Sequence, residues 1–144
     1  MYFYYTWTEG ATEDCPTTRL ATAPLSENWP AHLTIYGTVI DKAQFEHADS
    51  CDIKYVEDYD LFYAFHTYNR YRFNSEVAVW TSKDGKNFTY RGNMSGVLKY
   101  LGNMGVSGDG EGHIRLSEPQ FIGYSYGSNA SGNWNTWFGP MYFD

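Results

Sequence analysis

Aromatic residues alternate with small or polar ones in several short runs of this chain, with the period of two that marks a half-buried strand. Residues 2–7, 61–68 and 121–126 are the clearest such runs, and residues 51–56 repeat the pattern around Ile53 and Tyr55. No stretch keeps the 3.6-residue period of an amphipathic helix, and Gly, Asn and Tyr stand where a helix would carry Ala, Leu or Glu. The expected fold class is all-β.

The runs are related by a fixed spacing. Phe3, Phe62 and Phe121 lie 59 residues apart, each inside one of the aromatic runs. At the same offset residues 20–29 overlie residues 79–88, so that Thr22 meets Thr81 and Trp29 meets Phe88, and residues 135–138 overlie residues 76–79. Each copy then holds a strand, a loop, a second strand, a tight polar turn, and an aromatic opening a further strand such as residues 88–91. With residues 51–56 in front, the middle copy has four antiparallel strands. Four-stranded units at such a period predict β-propeller blades within one domain spanning residues 1–144, at about 1–45, 46–104 and 105–144. The first copy starts at its second strand and the third stops after its third, giving roughly two and a half blades where a closed ring needs at least about four. A further segment or a second chain is therefore expected to complete the ring.

Composition narrows the function classes. The 144 residues carry 10 Lys and Arg against 17 Asp and Glu, a net charge of −7, which leaves no broad basic face for nucleic acid or anionic lipid. No apolar run approaches the roughly 20 residues that span a bilayer, and the first ten residues lack the basic and apolar regions of a signal peptide. Cys15 and Cys51 match no zinc or redox spacing; they are either two separate small core residues or, in an exported protein, a disulfide. Three sequons, at Asn87, Asn93 and Asn129, are compatible with an extracellular or secreted protein. Aromatic residues make up 19% of the chain, enough both to fill wedges between sheets and to offer sugar-stacking faces.

The middle copy, residues 52–66 followed by residues 76–88, resembles the blades of five-bladed glycoside hydrolases, glycoside hydrolase family 43 and its arabinanase and β-xylosidase relatives. There an Asp opens the innermost strand, an aromatic strand follows, and a Ser-x-Asp-Gly-x-x-aromatic turn comes next, here Ser82 to Phe88. In its own right the Asp84-Gly85 pair suits a tight structural turn. The resemblance implies hydrolysis of an arabinan- or xylan-class polysaccharide by paired carboxyl groups whose pKa values are split by their surroundings. It would make Asp52 the group that tunes the acid and Glu111, 59 residues on, the general acid. The family's catalytic base, an Asp of the first blade, has no counterpart and would lie upstream of Met1.

Each assignment has a plainer alternative. Asp52 could cap a strand, with Asp49 a rival for its role, and Glu111 could be a solvated residue of the flexible Gly-rich stretch 108–113. Candidate substrate contacts are Asp49, His66, Trp80, His113 and Trp134. His47, His66 and His113 show no metal-ligand spacing, so neither metal nor cofactor is expected. The alternative to an enzyme is a non-catalytic carbohydrate-binding or structural propeller.

Overall fold

The computed structural model describes residues 1–7, 17–40, 49–127 and 133–143, with the backbone alone for Asp49. Cys15, His47 and Asn129 lie outside the described residues. The chain is all-β, as the alternation predicts, with eleven strands and two short 3₁₀ turns, Trp29–His32 and Glu57–Tyr59, among the described residues. The strands are β1 (Tyr2–Trp7), β2 (Thr17–Thr22), β3 (Thr34–Ile40), β4 (Asp49–Val56), β5 (Leu61–Tyr68), β6 (Glu76–Ser82), β7 (Thr89–Asn93), β8 (Leu101–Val106), β9 (His113–Ile114), β10 (Gln120–Gly127) and β11 (Trp134–Met141). They form three open sheets, ordered β1-β2-β3, β7-β6-β5-β4-β9 and β11-β10-β8. All pairings are antiparallel except that of β9 with β4. Among the described residues no helix is long and apolar enough to cross a membrane.

Alternation divides the central sheet's side chains between two cores. Ala64, Ala78 and Trp80 turn toward the first sheet and pack with Leu20, Val39 and Ile40. Val56, Phe65 and Val77 turn toward the third sheet and pack with Leu101, Val106 and Ile122. The central sheet is thus apolar on both faces, whereas each outer sheet leaves one face open: Ile35 is 60% exposed on the first and Phe138 70% exposed on the third.

The 59-residue spacing holds for two sets of strands. β1, β5 and β10 begin at residues 2, 61 and 120, and β2 and β6 begin at residues 17 and 76. It fails at the inner strands, since β4 begins at residue 49 and β8 at residue 101. A short 3₁₀ turn joins β4 to β5, but residues 107–119, carrying β9, separate β8 from β10. The spacing also loses its sense of face. Phe62 points to the first sheet, 5.5 Å from Tyr2, yet Phe121 stacks on the exposed Phe138 at 5.1 Å while Ile122 and Tyr124 enter the core against the central sheet. A slip of one residue in a period-two element turns every side chain over.

The turn between β6 and β7 behaves as its sequence predicts and also does more. The Asp84 carboxylate accepts hydrogen bonds from the Ser82 hydroxyl at 2.8 Å, the Lys86 and Asn87 amides at 2.9 Å, and the Asn87 side chain at 2.7 Å. Those bonds, led by the Asn87 and Lys86 amides, hold its pKa far below the usual carboxylate range. Gly85 has φ of +67°, and the Tyr4 hydroxyl donates to its carbonyl at 2.8 Å, so the turn ties the central sheet to the first.

Candidate functional site

At the β9 edge of the central sheet the chain builds a hydrogen-bonded corner. Residues 108–113, expected from their glycines to be flexible, form a hydrogen-bonded turn. The Asp109 carboxylate accepts the amides of Glu111 and His113, each at 2.9 Å, and Gly112 takes φ of +82°. The turn is held to β4 by Tyr55 N–H donating to Gly112 carbonyl oxygen at 3.3 Å, and by the Tyr55↔His113 and Val56↔Ile114 ladder pairs.

A charged clamp closes the corner from outside. Arg115 donates to both Glu57 oxygens, Nε at 2.7 Å and Nη2 at 2.9 Å, and His113 Nδ1 lies 2.9 Å from Glu57 Oε1. The Asp58 carboxylate accepts Leu116 N–H at 2.8 Å. Hydrogen bonds from Arg115 and then His113 lower the Glu57 pKa, and Glu57 in turn raises that of Arg115. Glu57, Asp109 and His113 bring potential metal-ligand atoms within 4.8 Å of one another. The guanidinium of Arg115, fixed on Glu57 and 3.5 Å from Asp109 Oδ2, already supplies the positive charge such a cluster calls for.

Between this corner and β1 lies a cleft of about 360 Å³, lined by Met1, Tyr2, Tyr4, Ile53, Tyr55, Phe62, Glu111, Gly112 and His113. Its volume sits near the lower end of the roughly 300–1,000 Å³ usual for ligand pockets. The rings form a continuous wall, with centroids 6.2 Å apart for Tyr2 and Tyr4, 5.5 Å for Tyr2 and Phe62, 5.1 Å for Phe62 and Tyr55, and 5.2 Å for Tyr55 and His113. The Tyr55 hydroxyl donates to Asp60 Oδ1 at 2.5 Å, which fixes the ring and raises its pKa. Burial, followed by Tyr2, raises that of Tyr4.

The residues singled out from sequence are dispersed. Glu111, which is exposed, and His113 line the cleft together. Asp52 points from the other face of β4, toward the third sheet, where its Oδ2 accepts Val106 N–H at 2.7 Å and its Oδ1 lies 3.1 Å from Lys54 Nζ. Asp52 and Glu111 therefore do not hold corresponding strand positions: Asp52 lies within β4, and Glu111 in the turn before β9. Trp80 and His66 are buried, at 8% and 2% exposure, and Trp134 stands 5.0 Å from Tyr71 in the third sheet region. Asp49 pairs with Thr67 at the start of β4. Cys51 is half-buried on that strand, and its pairing with Cys15 falls outside the described residues. The sequence marks Tyr55 and Phe62 only as strand residues, and neither the cleft wall they form with Tyr2 nor the Glu57–Arg115 clamp was expected from it as a site. The 58-residue separation of Glu57 from Arg115, and of Asp58 from Leu116, is the one trace they leave there.

No family model, curated protein or solved structure matches the chain.

Proposed function

We propose that the three sheets are successive blades of a β-propeller and that the cleft between the first and central sheets binds a plant-type polysaccharide of the arabinan or xylan class. The observation that carries the reading is the wall of Tyr2, Phe62 and Tyr55 ending at Glu111 and His113. Pyranose and furanose rings present C–H faces that stack on aromatics and hydroxyls that donate to carboxylates, and this cleft offers both along one surface. The stacked order of the sheets, with the central one covered on both faces, supports the blade reading, and a further segment or chain would cover the two open outer faces. An extracellular location follows from the reading, because the polymer lies outside the cell.

Hydrolysis is a second reading, favoured by Glu111 standing at the cleft wall beside a histidine that Glu57 holds in place. Glycoside hydrolysis needs a second carboxyl group roughly 5–10 Å across the scissile bond. Asp52, on the far face of β4, does not supply it; the partner would come from whatever completes the ring.

Calorimetric titration with xylan- and arabinan-derived oligosaccharides tests the proposal. Saturable binding is expected, weakened about tenfold or more by Tyr55→Ala through lost stacking. Release of reducing sugar that falls about 10²-fold in Glu111→Gln would establish the hydrolytic reading. Absence of saturable binding to any of these sugars would overturn the proposal.

A further inference from the structure

We infer that the chain carries a binding surface separate from the cleft, at the opposite end of β5, and that it takes an acidic polysaccharide, a chain of sugar rings bearing carboxylates. The inference goes beyond the cleft reading and does not rest on it. The surface is built by residues 69–75, which join β5 to β6, by residues 94–100, which join β7 to β8, and by the start of β11. Tyr71 and Tyr100 take φ of +66° and +60°, a left-handed conformation that costs stability for so bulky a side chain. Backbone bonds hold both residues there. Tyr71 N–H donates to the Leu101 carbonyl at 2.8 Å, Tyr100 N–H to that of Arg72 at 3.2 Å, and Gly127 N–H to that of Tyr100 at 3.2 Å. Strain of this kind persists where it aims a side chain at a task.

Here it aims aromatic rings. Tyr71 lies 5.0 Å from Trp134 and Tyr100 lies 6.0 Å from Phe73, by ring centroids, and Tyr71, Phe73 and Trp134 are all exposed. The Arg70 guanidinium stands 4.4 Å over the Tyr71 ring and donates to Asn103 Oδ1 at 3.0 Å. Such rings offer stacking faces to the C–H faces of sugars. Charge then narrows the class. Residues 69–75 and 94–105 carry Arg70, Arg72 and Lys99 and no acidic residue, and residues 119–143 carry no charged side chain, in a chain of net charge −7. Lys99 Nζ lies 3.5 Å from Glu76, whereas Arg72 has no carboxylate partner among the described residues. A guanidinium grips a carboxylate through two parallel N–H donors, so a cationic, aromatic island on an acidic protein suits rings that each carry a carboxylate. The two loops engage their backbone groups with each other and with Leu101 and Gly127, so they present side chains rather than a strand edge that a peptide could extend. The closely spaced phosphates of a nucleic acid are opposed by the net charge.

The test follows amide shifts of the full chain by NMR during titration with hexamers of galacturonic and of glucuronic acid, and with their methyl esters, which keep the rings and remove the charge. Saturable shifts centred on Tyr71, Tyr100, Gly127 and Trp134 are expected with at least one acid, with its ester binding about threefold more weakly or worse. Arg72→Gln should weaken binding of the acid about threefold, and Tyr71→Gly about tenfold through lost stacking. Glycine adopts φ of +66° without strain, so Tyr71→Gly is expected to bind worse with no fall in unfolding midpoint. No saturable shifts with either acid, equal affinity for acid and ester, shifts centred on the cleft, or a Tyr71→Gly chain that binds as wild type does would each overturn the proposal. So would tighter binding of a glutamate hexapeptide or of single-stranded polyuridine at the same residues. Neutral xylan-derived oligosaccharides probe the cleft in a separate titration, so either proposal can fail while the other stands.

Discussion

Asp84 illustrates how one side chain can carry a turn. Its four acceptor bonds replace water with fixed donors, so Asp84→Ala is expected to cost about 1 kcal/mol in urea unfolding. Gly85→Ala should cost about 1–3 kcal/mol, since φ of +67° disfavours a side chain and a Cβ would stand 2.5 Å from the Tyr4 hydroxyl oxygen. Folding lowers the proton affinity of both Asp84 and Glu57. The unfolded chain therefore binds more protons through the carboxylate range, and their contribution to stability rises with pH there. It is complete above ordinary carboxyl values near about 4 and fades below them. Unfolding measured between pH 3 and pH 7 in steps of about one pH unit should show the difference between wild type and Asp84→Asn shrinking as the pH falls; a difference that grows on acidification would contradict the carboxylate's role. Asp84-Gly85 was legible because its chemistry is local. The cleft was not: Tyr2, Tyr55 and Glu111 come from three distant segments, and only the pairing of β9 with β4 brings the last two together.

Among the strands, a period of two makes position and face separate questions. The spacing of 59 located β1, β5 and β10, and β2 and β6, because the starts of these strands keep their distances along the sequence. It could not locate the inner strands, where a four-residue connection in one sheet corresponds to a long excursion carrying β9 in another. Nor could it show that Phe121 faces outward. Ile122→Ala, which opens a hole between the central and third sheets, should cost about 2–4 kcal/mol. Phe121→Ala should cost less, because its ring stacks only on a neighbour that is itself exposed. Chemical unfolding of the two variants decides the point, and the opposite order would mean that Phe121 faces the core. The clamp at β9 is a similar case. Glu57→Gln should speed amide exchange at His113 and Ile114 while leaving β6 unaffected, since only the former depend on Arg115 and His113 being held to β4.

At the scale of the molecule, the described residues form three stacked sheets, the central one covered on both faces and each outer one on a single face. Large apolar side chains remain exposed, Phe138 at 70% and Ile35 at 60% on the outer sheets and Tyr142 at 80% beside the gap between the central and third sheets. Exposed apolar patches commonly mark contact sites for protein, membrane or ligand. Replacing Phe138 and Tyr142 by Ser should lower the binding of an apolar dye such as ANS with little change in unfolding midpoint; a large fall in midpoint would show instead that these rings already pack within the fold. Of the site residues expected from sequence, the stack buries the substrate contacts His66 and Trp80 and keeps the acid Glu111 and the substrate contact His113 at the cleft, so the stacking of sheets, invisible in a linear pattern, decides which of them can meet a ligand. The sequons show the same effect of context: the Asn87 side-chain amide donates to Asp84 and that of Asn93 to the Tyr68 hydroxyl oxygen at 3.0 Å. The most direct test of the cleft as the ligand site is an amide-shift map by NMR during titration with xylan- and arabinan-derived oligosaccharides. The expected map centres on Tyr2, Tyr55, Glu111 and His113; shifts centred instead on Trp134 and Tyr71, or no saturable shifts at all, would contradict it.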